Sequence, residues 1–277
     1  MQRTALVMFM ALAVHLPLMA QDGFLARWQQ RATQTQLKQP AWAPPLVTPY
    51  VGLIQVYRTD FARQTASNHV QTWSLGGSKG LNLIPAANTE LDVNLPPYLE
   101  HSAATVANGA GDMSFLLKYR FLARAERHGN YEASAFMAAS IPTGSYKNGG
   151  TDAMVSPNLG LGKGFGPFDV QTTIGAVLPV HDTATLGRAI AWNIAGQAHL
   201  VRYFWPQVEF NSTYFRGGPN DGKVQTFATP GMLVARKFGG VEQPSRLALC
   251  VGAGEQIATS TFHTYNHQII VTTRLLF

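Results

Sequence analysis

The sequence predicts an all-β fold, a transmembrane antiparallel up-and-down β-barrel of about twelve strands, and three observations carry that prediction. The first is period: through most of the chain after residue 50, apolar residues alternate with polar or small ones, as on strands with one apolar and one mixed face. The second is composition. Hydrophobic residues make up 46% of the chain and charged residues 13%, about half the usual charged share of a soluble domain, too few to cover a wetted surface but enough for a barrel wrapped in lipid. The third is the rhythm of the connections. Links at residues 96–111 and 143–152 are long and those at 126–130 and 164–167 short, an alternation that blurs later, as expected when long loops share one rim and tight turns the other.

Residues 1–20 read as a cleaved signal peptide. Arg3 precedes an apolar run over residues 5–20, broken only by His15 and Pro17, and small Ala20 stands before Gln21 and Asp22. That run is shorter than the ~20 apolar residues a spanning helix needs. Residues 21–49 are expected to form a periplasmic N-terminal leader. Phe24, Leu25, Trp28 and Ala32 fall at roughly helical spacing, and Pro40, Pro44, Pro45 and Pro49 then oppose regular structure. The polar, proline-rich make-up favours a solvated leader over a plug or a partner-docking element.

The barrel is expected over residues 50–277. Met113, Phe115, Leu117, Tyr119 and Phe121 alternate with Ser114, Leu116, Lys118 and Arg120, and the same pattern recurs from Phe168 and from Ile190. Strands are expected to start near Tyr50, His69, Asn88, Asp112, Tyr131, Ala153, Phe168, Gly187, Pro206, Lys223, Ser245 and His267. Gly76 and Gly77 interrupt the second of these, and Pro230 disturbs the strand from Lys223. Aromatic residues gather toward the two expected rims, with Tyr119, Phe121, Phe165, Phe168 and Tyr203 at one and Tyr98, Tyr146, Trp192 and Tyr214 at the other, as two interfacial girdles require.

The last strand ends on Phe277 and resembles the C-terminal signature by which bacterial outer-membrane barrels are recognised for insertion. The expected location is therefore the bacterial outer membrane. The bilayer, lipopolysaccharide, and the barrel assembly machinery acting through the C-terminal strand are the expected partners, beside a small-molecule solute. Cys250 is the only cysteine, which rules out an intramolecular disulfide and a thiolate metal cluster. The net charge of +6 is spread along the chain and is no nucleic-acid footprint.

At residues 109–121, Gly-Ala-Gly-Asp-Met-Ser-Phe-Leu-Leu-Lys-Tyr-Arg-Phe, the chain resembles the outer-membrane family labelled for the MetA pathway of phenol degradation. Residues 88–98, 135–144 and 156–164 continue the likeness, which spans about residues 80–200 and omits the proline-rich stretch. The resemblance implies a barrel that passes small solutes, aromatic or hydrophobic ones among them, without enzyme chemistry.

Inward-pointing candidates follow from the alternation. With Leu91, Val93 and Leu95 toward lipid, Glu90, Asp92 and Asn94 point inward, beside Lys118 and Arg120 of the next strand. That cluster reads equally as a charge-selective constriction or as a salt-bridged ladder filling a small lumen. Gln171, Gln197, His199, Glu209, Asn211 and Arg274 complete the expected pore-lining set, with no metal ligand and no cofactor in it. Residues 76–80 match Gly-x-Ser-x-Gly and would make Ser78 a nucleophile with His199 as base, but no helix pattern follows the motif, as a hydrolase elbow requires. The glycines of residues 160–166 read as alternate positions facing a crowded lumen before a tight turn. The function expected is an outer-membrane channel or transporter; a structural or surface-interaction barrel with a plugged lumen is the alternative.

Overall fold

Strands with an apolar and a polar face can bury neither in water, and here they close on themselves. The computed structural model describes residues 22–76, 80–201, 203–238 and 246–277; the expected signal peptide and Ser78 lie outside the described residues. In chain order come α1 (Asp22–Gln36), β1 (Val56–Thr65), β2 (Gln71–Leu75), β3 (Gly80–Ala86), β4 (Thr89–Asn94), β5 (Tyr98–His101), β6 (Gly109–Ala110), β7 (Met113–Arg124) and β8 (Tyr131–Ile141). They are followed by β9 (Met154–Phe165), β10 (Phe168–Pro179), α2 (Thr183–Leu186), β11 (Arg188–Ala198), β12 (Phe204–Arg216), β13 (Val224–Lys237), β14 (Ala248–Ala258) and β15 (His267–Leu276).

Twelve of the strands form a closed antiparallel wall in the order β1, β3, β4 and β7 through β15, and β1 meets β15 from Val56 opposite Leu276 to Thr65 opposite His267. Closure leaves no open edge, so the backbone hydrogen bonds of the wall are satisfied within it, the condition for crossing lipid. Side chains sort by face. Leu117, Leu159, Leu161, Ile174, Ile190 and Phe210 point outward and exposed, while Glu90, Glu132, Gln171, Glu209, Thr229, Thr272 and Arg274 are buried inside. That inverts a soluble protein's plan and is what a lipid exterior around a polar interior demands.

The expected strand starts hold for most of the wall and fail at its beginning. β1 starts at Val56, not near Tyr50, because residues 37–55 run inside the barrel. The candidate from His69 is two strands. Gly76, at φ +73°, bends the chain between them; β2 continues the wall beside the upper part of β1, and β3 pairs with β1 only at Val56 and Tyr57.

Short turns between β3 and β4, β7 and β8, β9 and β10, and β11 and β12 share one rim. α1 lies there too: its Arg31 guanidinium donates to the Pro85 carbonyl, and Ala32 packs with Leu53 and Ile84. The opposite rim carries the long loops, and hydrogen bonds join them to one another. β5 and β6 extend the sheet from β2. Asp112 accepts the Gly144 and Gly150 amides at 2.9 and 2.6 Å, and His101 Nε2 is hydrogen-bonded to Asn148 Oδ1 at 2.6 Å. Asp152 accepts the His181 amide at 2.5 Å, which holds its carboxyl below the ordinary aspartate value.

Candidate functional site

Charged, amide and hydroxyl side chains converge in the lumen, and residues 37–55 occupy it. This corrects the expectation of a solvated leader. Without strand or helix of its own beyond α1, the segment has backbone groups that the wall must satisfy, and the wall does so with side chains. Glu209 accepts the amides of Leu46 at 2.7 Å, Val47 at 3.1 Å and Thr48 at 2.5 Å. Across the lumen, Arg274 donates to the Pro44 and Pro45 carbonyls, the latter at 2.8 Å, and Arg58 donates to the Leu46 carbonyl at 2.5 Å while pairing with Asp60. Further along, Ser134 donates to the Val51 carbonyl at 2.8 Å and Gln171 to the Ala43 carbonyl at 3.3 Å.

The expected cluster of opposite charges is assembled. Lys118 Nζ lies 2.7 Å from Glu90 Oε1 and 3.0 Å from the Gly52 carbonyl, while Glu90 also accepts the Ile54 amide. Arg120 donates to Gln39 Oε1 and, at 2.9 Å, to Asn88 Oδ1. The pair of charges therefore grips the inner segment as well as bracing the wall. Asp92 is buried beside them, and Asn94, nearer the long-loop rim, donates to Ser114 at 3.2 Å.

A second cluster lies across the lumen. Gln197 donates to Gln207 at 2.7 Å, Gln207 to Glu209 at 2.9 Å, and Asn211 to Thr48 Oγ1 at 3.2 Å and Asn193 Oδ1 at 3.0 Å. His199 is not brought into either cluster: it lies exposed past the end of β11 at the tight-turn rim, its ring stacked on Trp205 with centroids 4.2 Å apart.

Apolar knobs of the segment enter gaps that glycines leave in the wall. A Cβ on Gly162 would overlap the Trp42 ring, whose Nε1 donates to Asn130 at 3.0 Å, and one on Gly160 would press on Val51. Leu46 fits over Gly231 and Gly254 and packs with Leu233 and Cys250. The glycines of β9 thus face a crowded lumen, as read from the sequence, and the crowding comes from the chain's own N-terminal part.

Sequence reasoning did not single out Glu132, Asp169, Gln256 or Arg58, all inward on the same alternation that found their neighbours. It also missed Gln39, Trp42 and Leu46, for which no periodic signal exists. The Glu132 carboxylate, Gln171 Oε1, Gln197 Oε1 and Thr229 Oγ1 are buried and accept no protein hydrogen bond among the described residues. Buried acceptors of this kind call for water.

No protein-family model matches the sequence, and no curated protein does. Solved structures do match. The COG4313 outer membrane channel from Pseudomonas putida F1 aligns over 85% of this chain and 100% of its own, with a TM-score of 0.54 and 13% identity. The NanC porin covers 80% of this chain and 98% of its own at a TM-score of 0.49 and 8% identity. The outer membrane channel DcaP of Acinetobacter baumannii covers 82% and 97% at 0.34 and 7%. At these identities the likeness is one of fold, and of the three only the Pseudomonas channel exceeds a TM-score of 0.5. Fold and lumen together define a closed twelve-stranded transmembrane β-barrel with a polar, occupied interior.

Proposed function

We propose that this protein is an outer-membrane channel for small solutes in which residues 37–55 form a displaceable inner gate. One observation carries the reading: the segment is held to the wall mainly by side chains bonded to its backbone, and water can replace bonds of that kind. A core packed only by apolar contacts would have no such exchange partner. The orientation that fits puts the tight-turn rim and α1 in the periplasm and the long loops outside. Amides and paired charges line the path, which suits small polar solutes. Passage of aromatic or hydrophobic solutes rests solely on the resemblance of residues 80–200 to the phenol-pathway family. The channel works without cofactor or covalent step.

The filled lumen also favours a second reading, a surface-interaction barrel whose long loops bind an external partner. Planar-bilayer recording separates the two. A channel gives rare openings in the wild type and frequent ones in Glu209→Gln. Silence in both proteins, with no uptake defect on deletion, would favour the surface-interaction reading.

A further inference from the structure

At the tight-turn rim, where the inner segment leaves α1, a cavity of about 560 Å³ lies between Leu37 and Lys38 on one side and the end of β7 and its turn on the other. Its chemistry is divided. Lys38, Arg124 and His128 line it, Arg120 forms part of its floor, and no carboxylate lines it. Lys38, Arg124 and His128 are exposed and form no ion pair among the described residues, whereas Arg120 is already committed to Gln39 and Asn88.

The apolar part has a structural cause. The pairing of β7 with β8 shifts between Arg120 and Leu122, so Phe121 is an extra residue, and the inward-outward alternation that holds from Leu117 to Arg120 gives way to two consecutive exposed residues, Phe121 and Leu122. Phe121 and Tyr119 belong to the aromatic belt at this rim, the depth at which headgroups lie. The long-stemmed cations Lys38 and Arg124, lining one cavity with the exposed Phe121 and Leu122, match an amphiphile with an anionic head.

We propose that this cavity is a binding site for one anionic glycerophospholipid of the adjoining leaflet, its phosphodiester held by Lys38, Arg124 and His128 and the upper part of its acyl chains lying on Phe121 and Leu122. The site rests on the membrane-barrel reading but not on conduction. Because Lys38 precedes Gln39, the residue Arg120 grips, an occupied site braces the root of the inner segment.

Native mass spectrometry of the whole protein in a neutral detergent tests this, with titrations of phosphatidylglycerol, phosphatidylcholine and inorganic phosphate. One phosphatidylglycerol should be retained at least about tenfold more tightly than phosphatidylcholine, and Lys38→Gln with Arg124→Gln should weaken it on the order of 20- to 30-fold, since each cation near an anionic headgroup contributes about 1 kcal/mol. Arg236→Gln with Lys237→Gln, at the same rim but outside the cavity, is the control and should leave retention unchanged. Equal retention of the two lipids, an equal loss in the control, or displacement of the lipid by millimolar phosphate would each overturn the proposal. A folded, lipid-binding protein that never conducts would refute the channel reading and leave this site standing.

Discussion

Replacing Glu209 with alanine should free the middle of the inner segment while leaving the wall intact. The carboxylate accepts the amides of Leu46, Val47 and Thr48 and the Gln207 side chain. A hydrogen bond to a charged group contributes about 1.5–3 kcal/mol, so three backbone donors left bare would cost roughly 5–9 kcal/mol. Where water entering the vacated site takes over part of these bonds, a net loss of about 2–4 kcal/mol in segment docking is expected. Hydrogen exchange at Leu46, Val47 and Thr48 in nanodiscs should then accelerate on the order of 30- to 700-fold while exchange in β9 to β12 stays unchanged. Glu209→Gln keeps one acceptor oxygen and should fall between alanine and wild type. Unchanged protection at these amides in Glu209→Ala would refute the cradle, and equal acceleration along the wall strands would show that Glu209 supports the barrel and not the segment.

Gly162→Ala should cost about 1–3 kcal/mol and shift Trp42 emission to longer wavelength, because the added Cβ meets a ring fixed by Asn130; Gly231→Ala, whose Cβ meets the tip of Leu46 and the Ala253 carbonyl oxygen of the next strand, should cost a similar amount. Thermal melts of the two variants compare them directly. Lys118→Met strands Glu90 in a site where it is wholly buried and should destabilise by about 3–5 kcal/mol, with much of the loss recovered in Lys118→Met combined with Glu90→Gln; a double-mutant cycle on unfolding midpoints reads the coupling. Deleting residues 22–54 behind an intact signal should still yield a heat-modifiable folded band and a more conductive pore, since the strand-to-strand ladders that close the wall do not include those residues. Loss of the folded band would mean that the inner segment is needed to assemble the barrel.

The barrel was legible in the sequence because its signal is local. A strand at a lipid boundary must alternate, so Leu117, Lys118, Tyr119 and Arg120 declare their faces within four residues, and the same rule placed Glu90, Gln171, Glu209 and Arg274 inside without any knowledge of their partners. Poverty of charge and the glycines of β9 were equally readable, because each reflects a single environment. The bulge at Phe121 and the division between β2 and β3 were not, since pairing register is a property of two strands and sequence alternation reports only one.

What the tertiary structure alone decided is the occupant of the lumen. A polar segment with Pro40, Pro44 and Pro45 has the same composition whether water or a barrel wall satisfies its backbone, so residues 37–55 carried no period to betray their place. Their partners are side chains remote in the chain: Leu46 and Glu209 are 163 residues apart and meet only once the wall has closed around them. Alternation determined that this lumen would be polar. That the chain's own N-terminal segment fills it follows from three-dimensional contacts, because a backbone without regular structure can be buried only where fixed donors and acceptors already converge.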